Sequence, residues 1–208
     1  MITYEGFAPS ILGQLFNAAL FASDDKSRPL INSVHLRNDG DSLIAISTDT
    51  YRLARIRIGN SWEGLGDDGL TIDVNCLNAL KKIYAGSIKK RKDNSGKIIT
   101  LRYFEGVLDF VDNESGEKEI FDLVAGVYPA NSLSLFPSLP YAISCHAPIS
   151  FNPVFLASMT KVVAPKQWAD RDSAFLKIAL LHCNDPLKPA VFEITEPELR
   201  LLVMPVRV

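Results

Sequence analysis

The chain has 208 residues, 47% hydrophobic and 22% charged, with a formal net charge of −2. That length suffices for one large domain or two small ones around a substantial core. The near-neutral charge excludes global attraction to nucleic acid, so any such contact needs a localised basic face. Three cysteines, Cys76, Cys145 and Cys183, are too few and too scattered for a disulfide framework, and their odd number fits a reducing cytoplasm. No apolar run approaches the roughly 18 residues of a membrane span, and the N-terminus lacks a signal-peptide pattern.

In chain order, Met1 to Phe7 alternates as a short strand does, with Ile2 and Tyr4 against Thr3 and Glu5. Pro9 then suits a first helical turn, and Ile11, Leu12, Leu15, Phe16, Ala19 and Leu20 recur at helical spacing. Three extended segments follow: Leu30 to Arg37, Ser42 to Ser47 after an Asn38-Asp39-Gly40-Asp41 turn, and Tyr51 to Ile58. The same order then begins again. Leu70 to Val74 alternates, Asn75 is a good N-cap, and Leu77, Leu80, Ile83 and Tyr84 form an apolar stripe in a helix expected to end near Gly86. Beyond a basic loop come strands at Ile98 to Phe104, Val107 to Val111 and Glu119 to Val124, separated by Glu105-Gly106 and the polar Asp112 to Gly116 turn.

Val127 to Pro148 breaks the pattern, because Pro129, Pro137, Pro140 and Pro148 discourage a long helix or a central strand. It reads as a connector, with one strand expected at Tyr141 to Cys145. A third copy starts at Ile149-Ser150-Phe151. Asn152 caps, Pro153 opens a helix, and Phe155, Leu156, Met159, Val162 and Val163 form its buried face. Strands at Ala174 to Cys183, Ala190 to Ile194 and Leu199 to Arg207 complete it. The apolar ending, Leu201 to Val208, reads as docked, since free termini are usually polar.

The internal repeat, strand, helix and three strands in three copies, implies an α+β protein whose helices share one face of antiparallel sheets. Specific residues extend this. Ser27-Arg28-Pro29-Leu30-Ile31-Asn32-Ser33-Val34, with Ser47-Thr48-Asp49-Thr50-Tyr51-Arg52-Leu53-Ala54, resembles the middle domain of the bacterial DNA polymerase III β sliding clamp family. Val127-Tyr128-Pro129 resembles the inter-domain connector of that family. Ile149 to Leu156, together with Val203-Met204-Pro205-Val206-Arg207, resembles the last half of its third domain.

The resemblance implies a DNA-clamp fold in a shortened form: repeated strand-helix-three-strand units, with helices lining a ring and antiparallel sheets outside. It divides the chain into a clamp domain at 1–126, a connector at 127–148 and a half domain at 149–208. The first unit of the family's third domain has no counterpart. Clamp rings contain twelve units, so three units per chain imply a homo-oligomeric ring of four chains, with alternate chains flipped. A trimer is the alternative if the connector and loops supply further structure.

The implied function is that of a processivity factor which encircles double-stranded DNA without sequence preference and binds short peptide motifs of polymerase and clamp-loader subunits. The alternative is a clamp-fold peptide-binding module that does not encircle DNA. Peptide-site candidates carried over by motif are Ile31, Thr48, Thr50, Tyr51, Arg52, Leu53, Pro129, Leu202, Val203, Met204, Pro205, Val206 and Arg207. Thr50-Tyr51 departs from the Gly-His usual in the family, so peptide preference should differ. DNA candidates are Lys26, Arg28, Lys81, Lys82, Lys89, Lys90, Arg91, Lys92, Lys161 and Lys166, because cations facing phosphates give salt-dependent, sequence-independent affinity.

Catalysis finds little support, and no cofactor is expected. Cys145-His146 and His182-Cys183 are adjacent pairs whose side chains diverge on a strand, so neither converges easily on one metal. Asp24-Asp25 and Asp67-Asp68 fall in loop signals and read as solvated turns.

Overall fold

A computed structural model describes residues 1–89, 98–136, 150–162, 178–182, 188–194 and 198–206. The expected strand at Tyr141 to Cys145 lies outside them, as do Cys145, His146 and Cys183. The first unit is β1 (Ile2–Phe7), α1 (Ala8–Ala19), β2 (Ser33–Asp39), β3 (Ser42–Thr48) and β4 (Arg52–Asn60). The second is β5 (Leu70–Asp73), α2 (Val74–Lys89), β6 (Ile98–Phe104), β7 (Val107–Asp112) and β8 (Lys118–Asp122). The third has α3 (Pro153–Ala157), prolonged by a 3-10 turn at Ser158–Lys161, then β9 (Ile178–His182), β10 (Ala190–Ile194) and β11 (Leu199–Val203).

The units exchange strands. One sheet runs β1-β6-β7-β8, and the other β5-β2-β3-β4-β11-β10-β9. The first strand of each of the first two units therefore pairs in the other's sheet, β1 on β6 and β5 on β2, both antiparallel. The third unit joins by its last strand, which runs antiparallel to β4 with Leu202 opposite Leu53 and Val203 opposite Arg52.

One core lies between the helices and both sheets. Ile11, Leu12, Leu15 and Phe16 of α1 are buried there at their 3.6-residue spacing, with Leu77, Leu80 and Tyr84 of α2 and Met159 and Val162 of the third unit. Buried Ser47 donates to the carbonyl of Ala18 at 2.6 Å, which satisfies one of the open carbonyls at the end of α1. Trp62, fully buried beside Tyr4, is clamped by Asn38: its main-chain N–H donates to Asn38 Oδ1 at 2.8 Å and its carbonyl accepts from Asn38 Nδ2 at 2.9 Å. A second cluster, Ile44, Ile46, Leu53 and Leu202, occupies the opposite face of the larger sheet. The connector covers it with Tyr128, Leu133 and Phe136, the last two in or beside a 3-10 turn at Ala130–Leu135.

Several local expectations shift. The first strand after α1 begins at Ser33, not Leu30, because Ile31 and Asn32 close a turn on the carbonyl of Arg28. The cap of α2 is Asp73, whose carboxylate accepts from the N–H of Asn75 at 2.6 Å, so Asn75 lies inside the helix. That helix runs through Gly86 to Lys89, since an interior glycine weakens a helix by only about 1 kcal/mol. Ile83 is 47% exposed and leaves the stripe to Leu77, Leu80 and Tyr84. Asn152 caps α3 as expected, accepting from Val154 N at 3.0 Å, but Ser150 and Phe151 pair in no strand among the described residues.

Candidate functional site

The β3–β4 hairpin is held by its own polar side chains. Asp49 Oδ1 accepts from the N–H groups of Tyr51 and Arg52 at 3.0 and 2.8 Å. Thr48 Oγ1 accepts from Thr50 N at 3.0 Å and donates to the Arg52 carbonyl at 2.6 Å. Between them Thr50 sits at φ 79°, a left-handed conformation that a β-branched residue adopts only when its surroundings impose it. The same hairpin thus aims Tyr51 outward and Arg52 toward the helices.

Arg52 is the junction of two units. Its Nε and one terminal nitrogen bond Asp49 Oδ2 at 2.9 and 2.6 Å, and its other terminal nitrogen donates to Ser158 Oγ at 2.5 Å. The guanidinium lies over the rings of Phe21 and Phe155, 5.6 and 5.0 Å from their centroids. Tyr51 stacks on the same Phe155 at 5.7 Å. The chain end then crosses this hairpin: Met204 N donates to the Tyr51 carbonyl at 3.0 Å, and Val206 N to that of Ser150 at 2.7 Å. Tyr51, Met204 and Val206 are exposed, and with Phe155 they form an apolar surface where hairpin and tail cross, while exposed Val154 lines the helix-side cleft.

The candidates carried over by motif therefore divide. Thr48, Thr50, Tyr51, Arg52, Met204, Pro205 and Val206 meet where the hairpin and the tail cross. Leu53 and Leu202 are neighbours buried under the connector, Val203 lies in the main core, and Ile31 is buried in the turn before β2. Pro129 lines a separate cavity of about 40 Å³ with Tyr128, His35, Arg37 and Ser132. Arg207 lies outside the described residues. The motif reading missed Phe155 and Ser158, although their spacing on a helix opening at Pro153 was visible.

In the cavity beside Pro129, His35 donates to or accepts from Thr71 Oγ1 at 2.9 Å and stacks flat on Tyr128 at 4.6 Å. Burial, assisted by the Arg37 charge, lowers the His35 pKa to about 4. Burial likewise pushes the Tyr128 phenol well up, and its hydroxyl has no hydrogen-bond partner among the described residues.

The basic candidates lie on the helix side. A cleft of about 440 Å³ runs between α1, α2 and α3, lined by Phe16 and Leu20, by Asn78 and Lys81, and by Ala157, Ser158 and Lys161. Lys81 reaches over the Phe16 ring at 5.9 Å, and Lys82 is exposed on the same helix. Lys26 and Arg28 are exposed in the turn after α1. Lys89 ends α2, while Lys90, Arg91, Lys92 and Lys166 lie outside the described residues. Across α1, α2, α3 and the turn that prolongs α3, the sequence places Lys81, Lys82, Lys89 and Lys161 and not one carboxylate. Among the described residues no three His, Cys, Asp or Glu side chains cluster as metal ligands would, and no helix is long and apolar enough to cross a membrane.

This architecture is that of the DNA sliding clamps. The DNA polymerase III β sliding clamp of Bartonella birtlesii, solved bound to griselimycin, superposes on the whole chain with a TM-score of 0.66 at 14% identity. The β subunit from Caulobacter crescentus gives 0.67 over 99% of the chain, and the sliding clamp from Bacillus subtilis gives 0.66 over all of it, each at 14% identity. In each case the chain spans 66% of the other protein's length. No family model matches the sequence, and no curated protein matches it. The likeness is therefore one of fold.

Proposed function

We propose that this chain is a cytoplasmic DNA sliding clamp, a non-enzymatic processivity factor that encircles duplex DNA as a ring of identical chains and tethers replication proteins through short peptides. The observation that carries this reading is the distribution of charge. In a chain of net charge −2, none of the described helices carries an acid: α2 holds Lys81, Lys82 and Lys89, the turn that prolongs α3 holds Lys161, and Lys81 and Lys161 line one cleft with Arg52 and a single acid, Asp24. Mobile lysines against phosphates give affinity without sequence preference, which a sliding ring needs. On this reading 1–126 is a full clamp domain, 127–148 a connector and 149–208 a half domain, and the ring holds four chains.

The peptide site is the crossing of hairpin and tail. Tyr51, Phe155, Met204 and Val206 supply the apolar contact. Methionine adapts to differing side chains, so one surface can serve several partners. The experiment for the ring is retention at rising salt on closed circular plasmid compared with the same plasmid linearised. Selective retention on the circle supports it; equal loss from both leaves only the peptide-binding module.

A further inference from the structure

The helices of the second and third units repeat one spacing that α1, which has no lysine, does not share. On α2 it is Val74, Asn78 and Lys81, and on α3 with the turn that prolongs it the set is Val154, Ser158 and Lys161. Each set is a valine, a polar residue four positions on and a lysine three beyond that. Offsets of four and three keep the members of a set on one helix face. All six residues line the cleft of about 440 Å³ on the helix side, where Ala19 and Leu20 at the end of α1 and Ala157 of α3 add to its apolar part.

We propose that this cleft binds a single unpaired nucleotide, with the base in the apolar slot and the phosphate between Lys81 and Lys161. The choice of a nucleotide rests on the reading that DNA runs past the helices. A cleft of this volume, apolar within and carrying a few placed polar groups, has the make-up of a small-molecule site. Neither Lys81 nor Lys161 has an ion-pair partner among the described residues, so both charges are open to a phosphate. The Phe16 ring, 5.9 Å from Lys81 Nζ, holds that lysine against the cleft wall. Asp24 is the one acid among the described lining residues, and the charge of Arg52 at the back of the cleft is already matched by Asp49. An anion is therefore met by two lysines against one carboxylate.

The slot beneath the lysines separates a nucleotide from a duplex phosphate. Paired bases stay stacked in the duplex, so an intact helix touches the lysine tips and leaves the slot empty. An unpaired base has no stacking partner to lose and gains apolar contact by entering. Ala19 and Ala157 keep the slot open where any larger side chain would fill it. The exposed Asn78 amide can both donate to and accept from a base edge. The same chemistry comes from a free nucleotide or from an unpaired position in a DNA strand.

Binding is followed by calorimetry and by the NMR shifts of the Leu20, Val74 and Ala157 methyls, with deoxyadenosine monophosphate, deoxyribose phosphate and a short single-stranded oligonucleotide as probes. The mononucleotide is expected to bind about tenfold more tightly than the sugar phosphate, the contribution of one base contact, and to move those methyls. An oligonucleotide that displaces it identifies a DNA strand as the source, and one that cannot displace it identifies free nucleotide; either result upholds the site. Ala157→Leu fills the slot and changes no charge, at an exposed helical position where leucine is a good helix former. That variant is expected to lose nucleotide binding at least tenfold, by about the worth of the base contact, and to keep its retention on duplex DNA. Lys81→Ala with Lys161→Ala is expected to weaken both by about tenfold or more. Should the leucine variant fail to fold, the wild-type affinities and methyl shifts decide alone. Equal affinity for mononucleotide and sugar phosphate, unmoved methyls, or unchanged binding in Ala157→Leu would each overturn the proposal. Mononucleotide binding needs no ring, so its failure is distinct from loss of selective retention on a closed circle.

Discussion

Arg52→Ala tests how the third unit is fixed to the first. The guanidinium and its partner carboxylate are only 10% and 14% exposed, so water cannot replace the lost ion pair. The change leaves Asp49 Oδ2 without its two donors, although Oδ1 keeps the N–H groups of Tyr51 and Arg52. It also removes the bond to Ser158 and the cation held over two rings. Breaking one partner of a buried pair costs about 3–5 kcal/mol, and the remaining bonds of Asp49 put the expected loss at the lower end, about 3 kcal/mol. For a chain of this size that corresponds to a fall of about 6–12 °C in Tm. Urea unfolding, followed by tryptophan fluorescence, reads the free energy directly. A double-mutant cycle with Ser158→Ala should show coupling, because that contact spans 106 residues of sequence and joins two units. A loss below 1 kcal/mol with no coupling would mean that Arg52 behaves as a solvated surface ion and that the hairpin and α3 are held by packing alone.

Three further outcomes follow from the same geometry. His35 has a folded pKa of about 4, below the value of about 6.5 in an unfolded chain, so the unfolded state takes the proton first. Its contribution is complete above about pH 6.5 and is lost as pH falls toward 4, by up to about 3 kcal/mol; chemical denaturation across that range should show the slope, and His35→Gln should flatten it. Lys81→Ala with Lys82→Ala is expected to weaken DNA retention and to lower the slope of log affinity against log salt by about 2, with no change in thermal stability; an unchanged slope would place these lysines away from the phosphates. Truncation after Val203 keeps β11 but removes the main-chain bonds of Met204 and Val206. Peptides selected from a random display library on the full chain should then fail to bind while the assembled mass is kept, whereas loss of assembly would mark the tail as core.

What could be read from the sequence was what depends on local spacing. Ile11, Leu12, Leu15 and Phe16 announced α1, Asn152-Pro153 the start of α3, and the recurrence of one strand-helix-strands order the α+β architecture. The errors were also local. Asn75 is a good cap, but Asp73, two residues earlier, takes that place by accepting from the N–H of Asn75 itself, and the helix runs on past Gly86. What could not be read was which strand pairs with which. β1 lies on β6, nearly a hundred residues away, and nothing in its alternation distinguishes that partner from β2. For the same reason the likeness in motif grouped Leu53 and Leu202 with Tyr51 and Met204, while the sheet puts the first two under Tyr128 and the others at its exposed end. The absence of carboxylates from the helices was visible in the sequence, but it became a surface only once the cleft showed three helices facing together.

The central claim is that the chain encircles DNA, and one cut tests it. The protein is assembled on a closed circular plasmid at low salt, moved to salt high enough to screen lysine and phosphate contacts, and followed on the DNA before and after a nuclease opens the circle at a single site. A ring stays on the circle and slides off within minutes of the cut. Protein that leaves at high salt before the cut, or that remains on the linear product, would be bound to the surface of the duplex and would contradict the account.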